Sequence, residues 1–225
     1  MAGGWFYWQH NKKAIIKDLI KDAVRKGTDS LYYIHYDSSV VDELNGNASF
    51  YQVDLQSDSL QGELSKYDTA FEATIYNIHI DEVTVKGADI PSLMNNTKIE
   101  ARSIEIIRPV IYIIRSGKKK QDTLTSNDSL AIYQKLLGKY KSIHAGEIIV
   151  TDGFINISKR NEGFNTTLKG ISVKLSDFKI DSSRNYSNII SYFVKAIVAN
   201  VKEVTIIKND NRISFSGVEY NAPLK

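Results

Sequence analysis

His79, Asp81 and Glu82, in the stretch "HIDE", are the residues best placed to hold a metal ion or move a proton. On an extended chain His79 and Asp81 share a face. A metal centre needs a third and usually a fourth ligand, and the remaining histidines, His10, His35 and His144, stand far away in sequence. Cysteine is absent, which removes disulfides, thiolate nucleophiles and zinc knuckles. No G-x-S-x-G elbow, P-loop or dinucleotide fingerprint occurs. The expectation is a protein without catalytic residues, metal or cofactor.

Other functional classes fall to charge and composition. The 225 residues carry 29 basic and 26 acidic side chains, a net charge of +3. That balance lacks the clustered basic footprint needed to grip a nucleic acid backbone. The run Lys118-Lys119-Lys120 can attract anionic headgroups, but such a run reads first as a solvated loop tip. The N-x-S/T sequons at Asn47, Asn95, Asn127, Asn156, Asn165 and Asn185 read as a consequence of composition.

The first residues differ from the rest. Trp5, Phe6, Tyr7 and Trp8 precede Lys12 and Lys13, the arrangement found where a transmembrane helix leaves the bilayer. One reading makes 1–10 a juxtamembrane segment that follows an N-terminal anchor absent from this sequence. The other docks the four aromatics on the core. No apolar run approaches the 18 residues of a membrane span.

Most of the chain has a strand texture. Ala48, Phe50, Val53 and Leu55 are spaced by 2, 3 and 2 residues, as are Ile78, Ile80, Val83 and Val85, and Val173, Leu175, Phe178 and Ile180. At 100° per residue a helix scatters these positions, and a regular strand turns the second pair to the opposite face. An irregularity such as a β-bulge in the wider gap restores a common face. A sister pattern has spacings 2, 5 and 2, in Ile104, Ile106, Ile111 and Ile113 and again, 44 residues on, in Ile148, Val150, Ile155 and Ile157. The shift aligns Pro109 with Gly153, and both residue types mark bulges and edges. Val204, Ile206, Ile213 and Phe215 form a looser version, whose "KNDN" interruption also reads as a hairpin turn.

Two helices are expected. Residues 11–26 place Ile15, Ile16, Leu19, Ile20, Ala23 and Val24 on one stripe and stop at Gly27. Residues 128–140 place Leu130, Tyr133, Leu136 and Leu137 on one face. "ADIPSLMNN" suggests a single turn near Pro91, and 187–195 another short helix. No domain boundary stands out. The expected architecture is mainly β with a few helices, in one domain over 1–225 with its sheet over 30–225. It is a curled antiparallel sheet of bulged strands forming a groove, partly covered by the two helices.

Over about residues 30–222 the chain resembles the N-terminal region of AsmA-like proteins. The resemblance rests on a glycine-led strand at Gly46, the step from Val85 through Gly87 to Leu93, and the strand Lys98–Ile113 with Ala101 and Pro109 in place. It implies an inner-membrane anchor, a periplasmic location, and kinship with bridge-like lipid transfer proteins, whose curved β-units line a groove with apolar residues. A phospholipid or other acyl-chain lipid becomes the expected partner. The candidate groove floor is Ile78, Ile80, Ile104, Ile106, Ile111, Ile113, Ile148, Val150, Ile155 and Ile157. A structural or protein-interaction module of the envelope, with a filled interior, satisfies the same pattern.

Overall fold

The computed structural model describes residues 21–22, 24–25, 32–57, 73–89, 92, 98–116, 140–159, 163–181, 194–209 and 211–223. These residues are overwhelmingly β. Nine strands form one sheet: β1 Tyr32–His35, β2 Ser38–Asp42, β3 Asn47–Ser57, β4 Ala73–Lys86, β5 Lys98–Ser116, β6 Ser142–Lys159, β7 Phe164–Asp181, β8 Ala196–Lys208 and β9 Asn211–Pro223. The order is β1-β3-β4-β5-β6-β7-β8-β9, with β2 also on β3, so the sheet is open and the first and last strands do not meet.

Every pairing is antiparallel except the central one. β5 and β6 run parallel, with Ile104 beside Ile148, Ile106 beside Val150, Ile111 beside Ile155 and Ile113 beside Ile157. This corrects the expectation of an antiparallel sheet throughout. The 44-residue shift between the two sister patterns is this parallel register. A parallel pair needs a crossover of a dozen or more residues, and the chain between β5 and β6, 117–141, is long enough.

The expected helices fall almost wholly outside the described residues. Helix among the described residues is confined to Lys21, Asp22, Val24, Arg25 and Ser92. The remainder of 11–26, and 128–140 except Tyr140, lie outside them, as do 187–193. No helical cover for the sheet is therefore part of the described fold. The turn near Pro91 is represented by Ser92, whose amide (3.2 Å) and hydroxyl (2.6 Å) both donate to Asp89, a helix-capping arrangement. No described helix is long and apolar enough to cross a membrane.

The broken alternation has a specific origin. Gln52, Arg108 and Asp152 have φ of 52°, 47° and 55°, and Gly170 and Gly217 have 63° and 67°. The registers put them on one line across the sheet. Gln52 lies opposite Asp81, and Asp81 opposite Arg108. Arg108 stands level with Asp152; at β6–β7 the line steps past the Gly153–Ile171 pair, and it continues through Gly170 and Lys202 to Gly217. At the β1 edge it ends at Asp37, where β1 and β2 part and the Asp37 amide donates to the Tyr51 carbonyl (3.0 Å). A second line runs through Gly46 and Gly87 (φ 65° and 63°), Arg102, Gly146 and Asp177 (φ 53°).

A left-handed residue turns the strand's alternation over, so each line is a seam; β4 and β8 cross the first seam at Asp81 and Lys202 without a left-handed residue. Register stays one-to-one across β3, β4 and β5. Only between β6 and β7 does it slip, at Val150/Gly153 and Gly153/Phe154, as a true bulge. All three 2-3-2 segments are strands; in β3 and β7 the wide gap holds a left-handed residue, Gln52 or Asp177, while in β4 it holds Asp81 and Glu82 without a positive φ. The "KNDN" stretch joins β8 to β9, so Val204 and Ile206 face Phe215 and Ile213 across a hairpin.

Glycine at a seam serves two different ends. A Cβ on Gly217 would meet nothing within 4 Å, so only its φ matters, whereas a Cβ on Gly46 would lie 2.3 Å from the Ala88 carbonyl oxygen. Gly217→Ala is expected to cost the conformational penalty alone, about 1–2 kcal/mol. Gly46→Ala should cost clearly more, because backbone must move and the Ala88 amide bond to the Gly46 carbonyl (2.7 Å) moves with it. Urea unfolding of the two variants measures the difference, and equal losses would contradict this account of the seams.

Candidate functional site

Directly opposed residues in a sheet share a face, so the registers assign the faces of this one. One face holds the row Leu55, Ile78, Ile111, Ile155, Leu168, Val204 and Phe215. Parallel to it run Phe50, Val83, Ile106, Val150, Val173, Ala199 and Tyr220, then Ala48, Val85, Ile104, Ile148, Leu175, Ile197 and Ala222. The apolar surface therefore spans the whole width of the sheet.

All ten candidate floor residues lie on β4, β5 and β6, which are consecutive in the sheet. They fall into cross-strand sets: Ile78, Ile111 and Ile155; Ile106 and Val150; Ile104 and Ile148; Ile113 and Ile157. Each of the ten is half-buried. Trp5, Phe6, Tyr7 and Trp8 lie outside the described residues.

The remaining floor candidate, Ile80, exposes what the sequence pattern missed. Ile80 is opposite Pro109, and Pro109 stands level with Gly153, which pairs with Ile171. Pro109 and Gly153 are members of the apolar row, so the spacing 2-5-2 is the 2-3-2 pattern with its middle residue disguised. A Cβ on Gly153 would lie 3.2 Å from Cγ of Pro109 and 3.4 Å from Cβ of Ile171, so the proline ring occupies the space a side chain would take. This row is buried along much of its length, at Tyr36, Val53, Pro109, Gly153 and Ile171, and burial is deeper still beyond the second seam, at Ala145 (0% exposed) and Ile180 (1%). The alignment of Pro109 with Gly153 was the available signal. Tyr36 also packs edge-on against Phe50, centroids 5.2 Å apart.

The other face is mostly polar and is laced by side-chain bonds. Ser49 and Thr84 share a 2.8 Å hydroxyl bond, Lys174 pairs with Glu147 at 2.8 Å, and Asn156 donates to Asn165 at 2.8 Å. His79 belongs here. Its Nδ1 is 2.8 Å from Asp54 and its Nε2 is 3.5 Å from Asp81, whose other oxygen accepts from Arg108 Nε. Asp81 is thus engaged by a cation at the seam. No group of three or more potential metal ligands occurs among the described residues. Phe154 and Tyr112 make an apolar island on this face, centroids 6.0 Å apart.

At the second seam the Lys195 ammonium and His144 Nε2 both bond Asp177 and hold its carboxyl below the usual carboxylate value. These arrangements order the sheet and provide no nucleophile or acid–base pair facing a cleft. No protein-family model matches the chain, and no curated protein is significantly similar to it in sequence.

A depressed folded value means that Asp177 contributes stability above its unfolded value of about 3.9, and that this is lost as pH falls through the lower folded value. Its side chain is 33% exposed and that of Lys195 79%, so solvent screening limits the contribution to under about 1 kcal/mol. Asp177→Asn should lower the melting temperature slightly at pH 6 and flatten its fall between about pH 5 and pH 3. Melting curves across that range check this; an unchanged acid limb would show that the cluster is not coupled to folding.

Proposed function

We propose that this chain is a non-enzymatic lipid-binding module whose apolar sheet face accepts acyl chains. The observation that carries the reading is the continuity of that face. Apolar residues occupy matched positions on every strand from β3 to β9, and its centre is half-buried among the described residues. A surface of this extent on a soluble protein marks a binding site far more often than a solvent boundary.

In this reading the sheet curls along its seams into a groove, since left-handed residues and bulges raise local twist and bend strands. The buried row through Val53, Pro109, Gly153 and Ile171 then forms the bottom of the trough, and the ten candidate residues line it. Each acyl methylene buried there contributes about 0.8 kcal/mol, so one chain supplies several kcal/mol without any polar contact. The AsmA-like resemblance supports the same reading, and it carries the periplasmic placement, the inner-membrane association and a role in moving phospholipid between envelope membranes. The polar face, with its Lys–Glu and Asn–Thr contacts, would meet water.

The test is binding of a fluorescent phospholipid by the purified chain, alongside native mass spectrometry of lipid carried through purification. Ile111→Asp places a carboxylate in the middle of the floor, where an unpaired charge in an apolar setting costs several kcal/mol. The expected result is a folded variant, by far-UV circular dichroism and melting, whose phospholipid binding falls at least tenfold. A wild-type chain that binds no lipid, together with a variant that no longer folds, would refute the groove and leave a filled envelope module.

A further inference from the structure

We propose that a basic row at one end of the apolar face, built from Arg115, Lys159 and Lys208, holds the phosphate of an anionic phospholipid whose acyl chains run along the floor. The registers place Arg115 opposite Lys159, Lys159 opposite Phe164, Phe164 opposite Lys208 and Lys208 opposite Asn211. Two residues inward on these strands stand Ile113, Ile157, Thr166, Ile206 and Ile213, which form one cross-strand row of the apolar face. Side chains two apart on a strand share a face, so the basic row closes the apolar face at that end. Arg115 and Lys208 are exposed, and Lys159 and Phe164 are half-buried. The inference rests on the lipid-binding reading of this face and adds the headgroup to it.

The charge pattern at this end is unlike that of the rest of the sheet. Elsewhere cations meet carboxylates on the adjoining strand, as Lys174 meets Glu147 at 2.8 Å and Lys169 meets Glu203 at 3.6 Å. Here two cations, Arg115 and Lys159, are set directly opposite each other. Like charges in that position destabilise a sheet. No carboxylate stands close by among the described residues, since none of 112–116, 155–159, 164–168, 204–208 and 211–215 is acidic. An anion set among Arg115, Lys159 and Lys208 turns the repulsion into attraction. Arginine offers paired donors to phosphate oxygens, and lysine adds a point charge.

The floor changes character by degrees toward this row. Ile78, Ile111 and Ile155 form a purely apolar set. One step outward Tyr76, opposite Ile113 and 41% exposed, and Thr166 join the isoleucines. The cations follow. A bilayer interface is graded in the same way, with tyrosine and basic side chains at the level of the headgroups. From Ile104 to Ile113 the floor is about 30 Å long, about twice the depth of one leaflet's acyl chains. A phospholipid with its phosphate on the basic row therefore keeps its tails on apolar residues and buries no charge. The other end of the floor has no such row: Ile99 lies beside Ile143 there, and the neighbouring Lys98 is paired with Glu100 at 2.9 Å.

Two fluorescent probes with the same acyl chains, phosphatidylglycerol and diacylglycerol, separate the headgroup from the floor. The purified chain should bind phosphatidylglycerol about tenfold more tightly, and the preference should shrink as salt rises. Arg115→Gln with Lys208→Gln should lower phosphatidylglycerol affinity about tenfold and leave diacylglycerol affinity within about twofold. Lys174→Gln, on the polar face, should change neither. Because Arg115→Gln removes a like-charge pair, the double variant should melt no lower than the wild type, and Lys208→Gln alone should still weaken phosphatidylglycerol binding about threefold. Equal affinity for the two probes, or a double variant that keeps its preference, overturns the basic row and leaves the lipid-binding face standing. A chain that binds neither probe overturns both. Glycerol phosphate that binds as tightly as phosphatidylglycerol would assign the row to soluble phosphate esters and overturn the lipid headgroup.

Discussion

A sheet with one apolar face can let a strand change step only if its neighbours change step at the same level. That constraint of parity governs this fold. If only β3 changed step, Phe50, Val53 and Leu55 would share the apolar face while Ile80 and Ile78, on an unchanged β4, crossed to the polar side, away from Val53 and Leu55. Left-handed residues recur on β5, β6, β7 and β9, at Arg108, Asp152, Gly170 and Gly217, while β4 and β8 cross the seam at Asp81 and Lys202 without one, and the apolar rows continue. Non-glycine residues in this conformation cost on the order of 1–2 kcal/mol each, so the face they preserve must outweigh several such penalties.

The residues along the seam reflect that strain. Arg108 beside Asp81 places opposite charges on adjacent strands, and Lys202 reaches across β7 toward Asp152 (3.7 Å). The Lys202 side chain also lies over Gly170, in the space a Cβ there would fill. Such exposed pairs are individually weak. Their value is positional: they pair charged side chains along the seam on the polar face.

The same parity joins the proposed functions to the fold. A regular sheet of this width would twist and expose its apolar face evenly. Burial gathers at two levels, the row of Val53, Pro109, Gly153 and Ile171 and the region of Ala101, Ala145 and Ile180, and the flanking isoleucines are half-covered. An acyl chain suits such a surface because it needs length and apolar contact and asks for no fixed hydrogen bond.

What the sequence determined by itself was the face. The spacings 2-3-2 and 2-5-2 admit only strands with an irregularity, and they selected ten residues that the sheet brings side by side. It also supplied the β5–β6 register, as the 44-residue shift. Strand direction was beyond it, for a geometric reason: a 2-3-2 pattern is the same read forwards or backwards, so it matches a neighbour equally well parallel or antiparallel. Only the tertiary structure decided that β5 and β6 run together while all other pairs oppose. It also decided that Pro109 and Gly153 belong to the apolar row, because a ring and a bare backbone have no place in a pattern of branched side chains. They acquire one only when Ile80 and Ile171 are set against them.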